Sequence, residues 1–214
     1  MDAEPLDDVM RRAAAYDRSA VVREYQALAQ LLASAPPVLD LGCGSGTLLE
    51  SLGARGVEAT GVDASPSAIA ACQAQGFTVT RSDLFDFLAN APAEQYGGVF
   101  AGHVVEHMPP DSARKLFAEV HRVLRPGGQF VLLTPNARNL YVIGQGFWTD
   151  PTHVRPYPPQ LLRALASDAG FSSMTVRGWT EDLPLRQKLS GWFRWLATGG
   201  LHQPASTLLA IARR

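Results

Sequence analysis

The chain has 214 residues, enough for one domain with a full-sized hydrophobic core, and its 46% hydrophobic and 18% charged residues are those of an ordinary globular protein. A net charge of -1 leaves no basic surface for displacing counterions, which excludes a general nucleic-acid binder. No apolar run approaches the roughly 20 residues that span a bilayer, and the acidic start MDAEPLDDVM lacks the basic and apolar regions of a secretory signal. The two cysteines, Cys43 and Cys72, lie far apart in sequence and indicate neither a disulfide framework nor a zinc site. A soluble cytoplasmic protein is expected.

Residues 6–34 are rich in alanine and leucine, contain no Gly or Pro, and predict one or two helices that Pro36-Pro37 ends. VLDL at 38–41 predicts a short buried strand. Further strands are expected at 57–62, 77–81, 98–102 and 128–134, with helices near 45–55, 65–75 and 111–124. In the last helix Leu116, Val120 and Val123 recur at i, i+4 and i+7, the stripe of a helix lying on a sheet. Continuous apolar strands alternating with helices imply a parallel sheet covered on both faces, with its ligand at the carboxyl ends of the strands. Past residue 136 the chain turns rich in Gly, Pro, Asn and aromatics through 159, as a covering loop would. A helix at 159–169 capped by Gly170, a strand at 171–179 and a final strand in STLLAIARR complete the expectation. Charge is uneven: the last 32 residues, 183–214, carry +5 and no acid, leaving -6 for the rest.

The segment LDLGCGSGTLLESL (39–52) is strand, glycine turn and helix, an arrangement that brings backbone close to a ligand and aims a helix N-terminus at it. The glycines run G-x-G-x-G, and Thr47 stands where a dehydrogenase fingerprint has its third glycine. Asp40 lies inside the strand before the turn, where it would repel a pyrophosphate and welcome an ammonium. Asp63 follows 23 residues later and Asp83 another 20. Singly these have plain readings: Gly42 and Gly46 as turn glycines, LRPGG (124–128) as a helix stop, Asp63 as a helix cap.

In this order, from VLDLGCGSG through GVDAS, SDLFDF and VFAGHVVEHM to LRPGGQFVLLTPN, the chain resembles the class I S-adenosylmethionine (SAM) dependent methyltransferases over about half its length. The resemblance implies a Rossmann-like α/β fold with a seven-stranded, mostly parallel sheet whose last strand is antiparallel. It implies a helical cap over 1–35, a SAM-binding core over 36–136 and an acceptor side over 137–214. Gly42 and Gly44 would lie against the methionine part of SAM, with Asp40 near its ammonium. Asp63, with Ala64 beside it, would accept from the ribose hydroxyls. Asp83 would accept from the adenine amino group, with the Leu84 amide at the ring nitrogen. The backbone carbonyl of Gly102-His103 would hold the ammonium.

For the acceptor, two segments offer a base. In HVVEHMPP (103–110), His103, Glu106 and His107 share a face if the turn is helical, and His107 would be the base unless the segment is a metal site or structural. The ubiquinone-pathway O-methyltransferases resemble this site with E-x-x-E-H and a magnesium ion; His103 replaces the first Glu here, so a divalent metal is not favoured. FWTDPTHVRPYPPQLL (147–162) resembles a D-P-T-H-V-R-P motif of methyltransferases of bacterial surface-polysaccharide biosynthesis. There His153 would take a hydroxyl proton, Arg155 would clamp an anionic group, and Trp148 and Tyr157 would give flat faces for a sugar. Against this stands a rigid proline-bracketed lid in which Asp150, His153 and Arg155 bond one another. Tyr16, in the N-terminal cap, would close over the acceptor. Leu185, Leu189, Trp192, Phe193 and Leu196 form an apolar stripe flanked by basic residues, suited to an anionic membrane surface, to the chain's own domain or to a second subunit. The expected function is O-methylation of a saccharide hydroxyl or glycan phosphate. The alternatives are a small-molecule, quinone-like O-methyltransferase, with extractable product and chelator sensitivity, and a non-catalytic SAM-binding partner subunit.

Overall fold

The structure is a computed structural model that describes residues 18–179 and 205–214. Its elements in chain order are α1 (Arg18–Leu32), β1 (Val38–Leu41), α2 (Thr47–Gly53), β2 (Ala59–Asp63), α3 (Pro66–Ala74), β3 (Val79–Arg81), α4 (Leu84–Asn90), β4 (Tyr96–Gly102), α5 (Pro110–Val123), β5 (Leu124–Pro135), α6 (Pro159–Asp168), β6 (Ser173–Trp179) and β7 (Thr207–Arg213). The strands form one seven-stranded sheet in the order β3-β2-β1-β4-β5-β7-β6. The first five pair in parallel, and β7 runs antiparallel to both β5 and β6. This is the expected Rossmann-like fold. The order reverses at β1, whose neighbours are β2 and β4, so the crevice at the ends of β1 and β4 is where such a sheet binds ligands.

Each face of the sheet is covered by the residues that periodicity selects. On one face α5 buries Ala113, Leu116, Phe117, Val120 and Val123 against Phe130 and Leu132 of β5 and Leu165 and Phe171 from the α6 region. On the other, Leu28, Leu32, Leu48 and Leu52 of α1 and α2 cover Val38, Phe100, Val131 and Leu209. β1 is buried along its whole length, which is why VLDL reads as a continuous run.

Local chemistry sets the element ends. Pro66 and Ser65 start α3, with the Ser65 side chain accepting from the Ala68 amide at 3.4 Å. Gly170, at φ +92°, lets the chain leave α6 for Phe171. The helix expected at 45–55 is shorter, because Gly46 at φ +89° precedes its first turn. LRPGG opens β5 rather than only stopping α5: Leu124 pairs with Tyr96 before the register slips to Gly98 and Gln129, and Gly127 at φ +76° makes the turn within. α4 has no counterpart in the sequence expectation. Residues 6–17, with Tyr16, and the stripe at 185–196 lie outside the described residues.

Phe117 meets Phe130 and Phe171 edge-on, at ring-centroid distances of 5.3 and 6.4 Å. Removing its ring leaves a cavity between α5 and the sheet, so Phe117→Ala is expected to lower unfolding free energy by about 3–5 kcal/mol in chemical denaturation.

Candidate active site

The glycine turn between β1 and α2 is held from β2. The Gly44 amide donates to Asp63 Oδ2 at 2.9 Å, and the Ser65 amide donates to Oδ1 at 2.8 Å. Ser65, not Asp63, caps α3, so Asp63 is left as a clamp whose oxygens keep lone pairs for further donors. Gly44 sits at φ +52°, and a Cβ there would meet open space; at Gly46 a Cβ would lie 2.9 Å from the Phe77 ring. The two glycines therefore differ: Gly46 is required by packing, and Gly44 opens onto the crevice. Cys43 and Cys72, distant in sequence, share one small apolar cluster with Leu49, and both thiols point at the Gly44 carbonyl. Burial pushes both thiols up, so they are packing groups under the loop.

Asp40 is 2% exposed, in the strand that ends at this turn. Burial first, and the charge of Asp63 second, push its carboxyl up to about 8. Tyr25 of α1 lies near it; burial, then the charges of Asp40 and Glu24, raise that phenol. A cation arriving beside Asp40 would supply the counter-charge that burial denies it. Asp83 caps α4, its Oδ1 accepting from the Phe85 and Asp86 amides at 2.8 and 3.3 Å. Leu84 is the first residue of that helix, where backbone N–H groups have no intrahelical acceptor. Three carboxylates at the ends of three strands, around a loop open at Gly44, suit a ligand carrying an ammonium, a ribose and an adenine.

The HVVEH segment folds differently from a helical turn presenting one face. His103 has φ +56°, and only Val105–His107 forms a short 3-10 turn. His103 Nδ1 donates to Glu106 Oε1 at 2.9 Å, while Thr134 Oγ1 donates to Oε2 at 3.1 Å. Glu106 is fully buried and the His103 side chain is 45% exposed. Burial acts to lower the His103 imidazole, but the Glu106 hydrogen bond, its charge and that of Glu24 outweigh it, and the net shift is upward. His107 turns away to the DPTH loop. Thr152 Oγ1 donates to Asp150 Oδ1 at 2.6 Å, so at 2.9 Å it must accept from His107 Nδ1. The Thr152 bonds, hydroxyl before amide, hold the Asp150 carboxyl below its usual range.

That loop is pinned by backbone bonds from Val154 and Arg155 N–H to the Glu106 carbonyl, at 2.8 and 3.3 Å. His153 Nδ1 donates to the Phe147 carbonyl at 2.6 Å, and its ring lies 4.8 Å from that of His107. His153 Nε2 is 3.8 Å from Asp150 Oδ2, which realises part of the lid reading. Glu106, His107 and His153 bring atoms of metal-ligating type within 4.8 Å of one another, the group of this kind found among the described residues. Both Glu106 oxygens and the Nδ1 atoms of His107 and His153 have the hydrogen-bond partners given above, which leaves the two Nε2 atoms as the free imidazole nitrogens of the cluster. Trp148 is 56% exposed, edge-on to Phe147. Tyr157 is a correction: it is fully buried, its hydroxyl donates to the Met108 carbonyl at 2.8 Å, and it offers no face to an acceptor. Arg155 lies over the Tyr157 ring at 5.5 Å, with its Nε buried and without a hydrogen-bond partner.

A cavity of about 370 Å³ opens beside these residues, lined among others by His103, His153, Phe147, Asn139 and Tyr141. His107 does not line it. Sequence reasoning missed Asn139 and Tyr141, the Glu106–Thr134 pair and Tyr25. Both ends of the Glu106–Thr134 bond lay in stretches already singled out, HVVEH and LLTPN, but nothing in either says that they meet.

A family model described as "Methyltransferase domain" matches residues 12–176. The chain belongs to that family. It is similar to the ubiquinone biosynthesis O-methyltransferase of Pseudomonas syringae pv. tomato, with 30% identity over 158 residues covering 67% of each chain. A SAM-dependent methyltransferase from Archaeoglobus fulgidus has the same fold at TM-score 0.80, with 24% identity over 92% of this chain and 95% of its own. Human N-acetylserotonin methyltransferase, solved with SAM, superposes at TM-score 0.65 with 17% identity, covering 90% of this chain and 51% of its own. The chain is a SAM-dependent methyltransferase, and SAM is its cofactor.

Two outcomes follow. Asp40 keeps its proton in the folded protein, and loses it in the unfolded chain, between the ordinary 3.8 and about 8. Stability owed to this residue therefore falls as pH rises through that window. Asp40→Asn should gain melting temperature over wild type progressively across it and level off above. Asp63→Ala should weaken SAM binding by about 1.5–3 kcal/mol in titration calorimetry, through lost charged hydrogen bonds; unchanged affinity would refute the ribose assignment.

Proposed function

We propose that this methyltransferase acts on a hydroxyl of a small, ring-bearing, quinone-like molecule. The observation that carries this is the cavity at the strand ends, about 370 Å³ in volume, with the Phe147 and Tyr141 rings and two imidazoles in its wall. That space suits one aromatic ring with short substituents better than a polymer segment. Leu140, Tyr141, Trp148 and Val154 are large apolar side chains exposed on this same segment, 74%, 58%, 56% and 48% respectively. Exposed apolar side chains on the segment that also lines the cavity favour an acceptor with an apolar tail over a hydrated glycan. The ubiquinone-biosynthesis name of the Pseudomonas relative supports the same class.

The saccharide expectation loses ground on two counts. Tyr157, one of its two stacking faces, is in the core, and Arg155 is laid over that buried ring instead of reaching outward. None of the relatives reported above carries a polysaccharide name. Among the described residues no helix is long and apolar enough to cross a membrane.

In the reaction the residues bind and orient, since SAM's sulfonium is already a good methyl donor. Asp40, Asp63 and Asp83 would fix the cofactor, and the 139–153 segment would fix the acceptor ring. The test is transfer of labelled methyl from SAM into fractionated lysate of the source cells. Label is expected in the organic extract, as a product that mild acid does not convert to free saccharide. Label in the aqueous glycan fraction would sink the reading.

A further inference from the structure

We infer that His103 is the general base of the methyl transfer, its imidazole aimed by Glu106, which is itself fixed by Thr134. The inference rests on the proposed hydroxyl acceptor, since an oxygen nucleophile is what gains from losing its proton.

Three features of the fold single out this residue. First, Glu106 is a fully buried carboxylate with both oxygens assigned: Oε1 takes the His103 Nδ1 proton at 2.9 Å and Oε2 takes the Thr134 hydroxyl at 3.1 Å. A carboxylate can only accept, so His103 is the Nδ1–H tautomer, and Nε2 carries the lone pair. Second, His103 lies in the cavity wall at the end of β4, with nearly half of its side chain exposed. Third, it adopts φ +56°, a left-handed conformation that costs a residue with a Cβ, at a position the β4 carbonyl end brings to the cofactor crevice. The arrangement of buried acid, imidazole and reacting hydroxyl is that of an oriented base.

The other two histidines are placed less well. His107 does not line the cavity and is tied to Thr152. His153 lines it, but its Nε2 faces the Asp150 carboxylate at 3.8 Å. In the step itself the acceptor O–H proton passes to His103 Nε2 as the oxygen forms its bond to the methyl carbon. The C–S bond breaks, its electron pair stays on sulfur as a neutral thioether, and the imidazolium rests against Glu106 until water takes the proton.

The test uses the whole chain. His103→Asn removes the base and tolerates φ above zero, since a short amide is at home there. With SAM and catechol as substrates, kcat is expected to fall about 10²–10⁴-fold, with the SAM dissociation constant by calorimetry within about twofold of wild type. His103→Gly suits the same backbone and leaves a hole, so added imidazole should restore part of its turnover. Independently of any acceptor, nitrogen NMR of the ligand-free protein at a pH of about 9, where imidazole is neutral, should show the His103 proton on Nδ1, and Glu106→Gln should abolish that preference. Unchanged kcat in His103→Asn, no response to imidazole, or the proton on Nε2 overturns the inference. So does a collapse of SAM affinity in His103→Asn, which would make the residue part of the cofactor site. Turnover abolished by a chelator in wild type, with His103→Asn equally active, would hand the chemistry to the Glu106, His107 and His153 cluster and overturn it too. If wild type methylates no phenol at all, the acceptor reading fails and the base assignment that rests on it is overturned too, the NMR tautomer then showing the His103–Glu106 pairing alone.

Discussion

A carboxylate buried in the middle of a parallel sheet is the constraint around which the molecule is arranged. Asp40 belongs to β1, which is backbone-paired on both sides, to Gly61 of β2 and Phe100 of β4. Its side chain has almost no access to solvent, and burial pushes its carboxyl toward the neutral form. An apolar residue there would make a more stable strand, so the acid is a stability cost retained at the switch point. The neighbouring groups of the crevice are arranged around that buried acid. The second acid, Asp63, accepts from the backbone N–H of Gly44 in the glycine turn and from that of Ser65 after β2, and so anchors the turn that follows β1.

What the sequence made legible is what a single short segment can carry. The glycine turn, the spaced acids and the α5 stripe each need fewer than about 15 residues to be recognised, and all three take the places expected of them. Seven strands with β7 antiparallel came from resemblance, because which strand lies beside which depends on pairings between remote residues. α4 leaves little trace in the sequence, because the Asp83 that starts it also suits a ligand contact. The Asp83 side chain caps a helix of Leu84–Asn90 too short to show a periodic stripe.

The acceptor side was less legible, and for a definite reason. Its geometry is decided by contacts between segments 28 to 49 residues apart: Glu106 with Thr134, His107 with Thr152, Tyr157 with Met108. Nothing near Tyr157 in sequence says that its hydroxyl finds a buried carbonyl, which is what draws the ring inward and takes Arg155 with it. Likewise H-x-x-E-H suggests three groups on one helical face only if the backbone is helical. The left-handed His103 breaks that premise, pairing His103 with Glu106 and sending His107 to the loop.

The same contacts explain why the loop can be irregular and still hold a site. Phe147 is buried, and its carbonyl takes the His153 proton; Val154 and Arg155 bond back to the Glu106 carbonyl; Thr152 and Asp150 hold His107. Glu106 is thus used twice, its side chain orienting His103 and its backbone fixing the segment that carries His153. Prolines at 151, 156, 158 and 159 limit the backbone freedom between those bonds. A 3-10 turn of three residues therefore sets both walls of the cavity relative to the ends of the strands. Displacing Glu106 would move both imidazoles in that wall, whereas Trp148 and Leu140, exposed and outside the cavity lining, can be altered with the wall left in place.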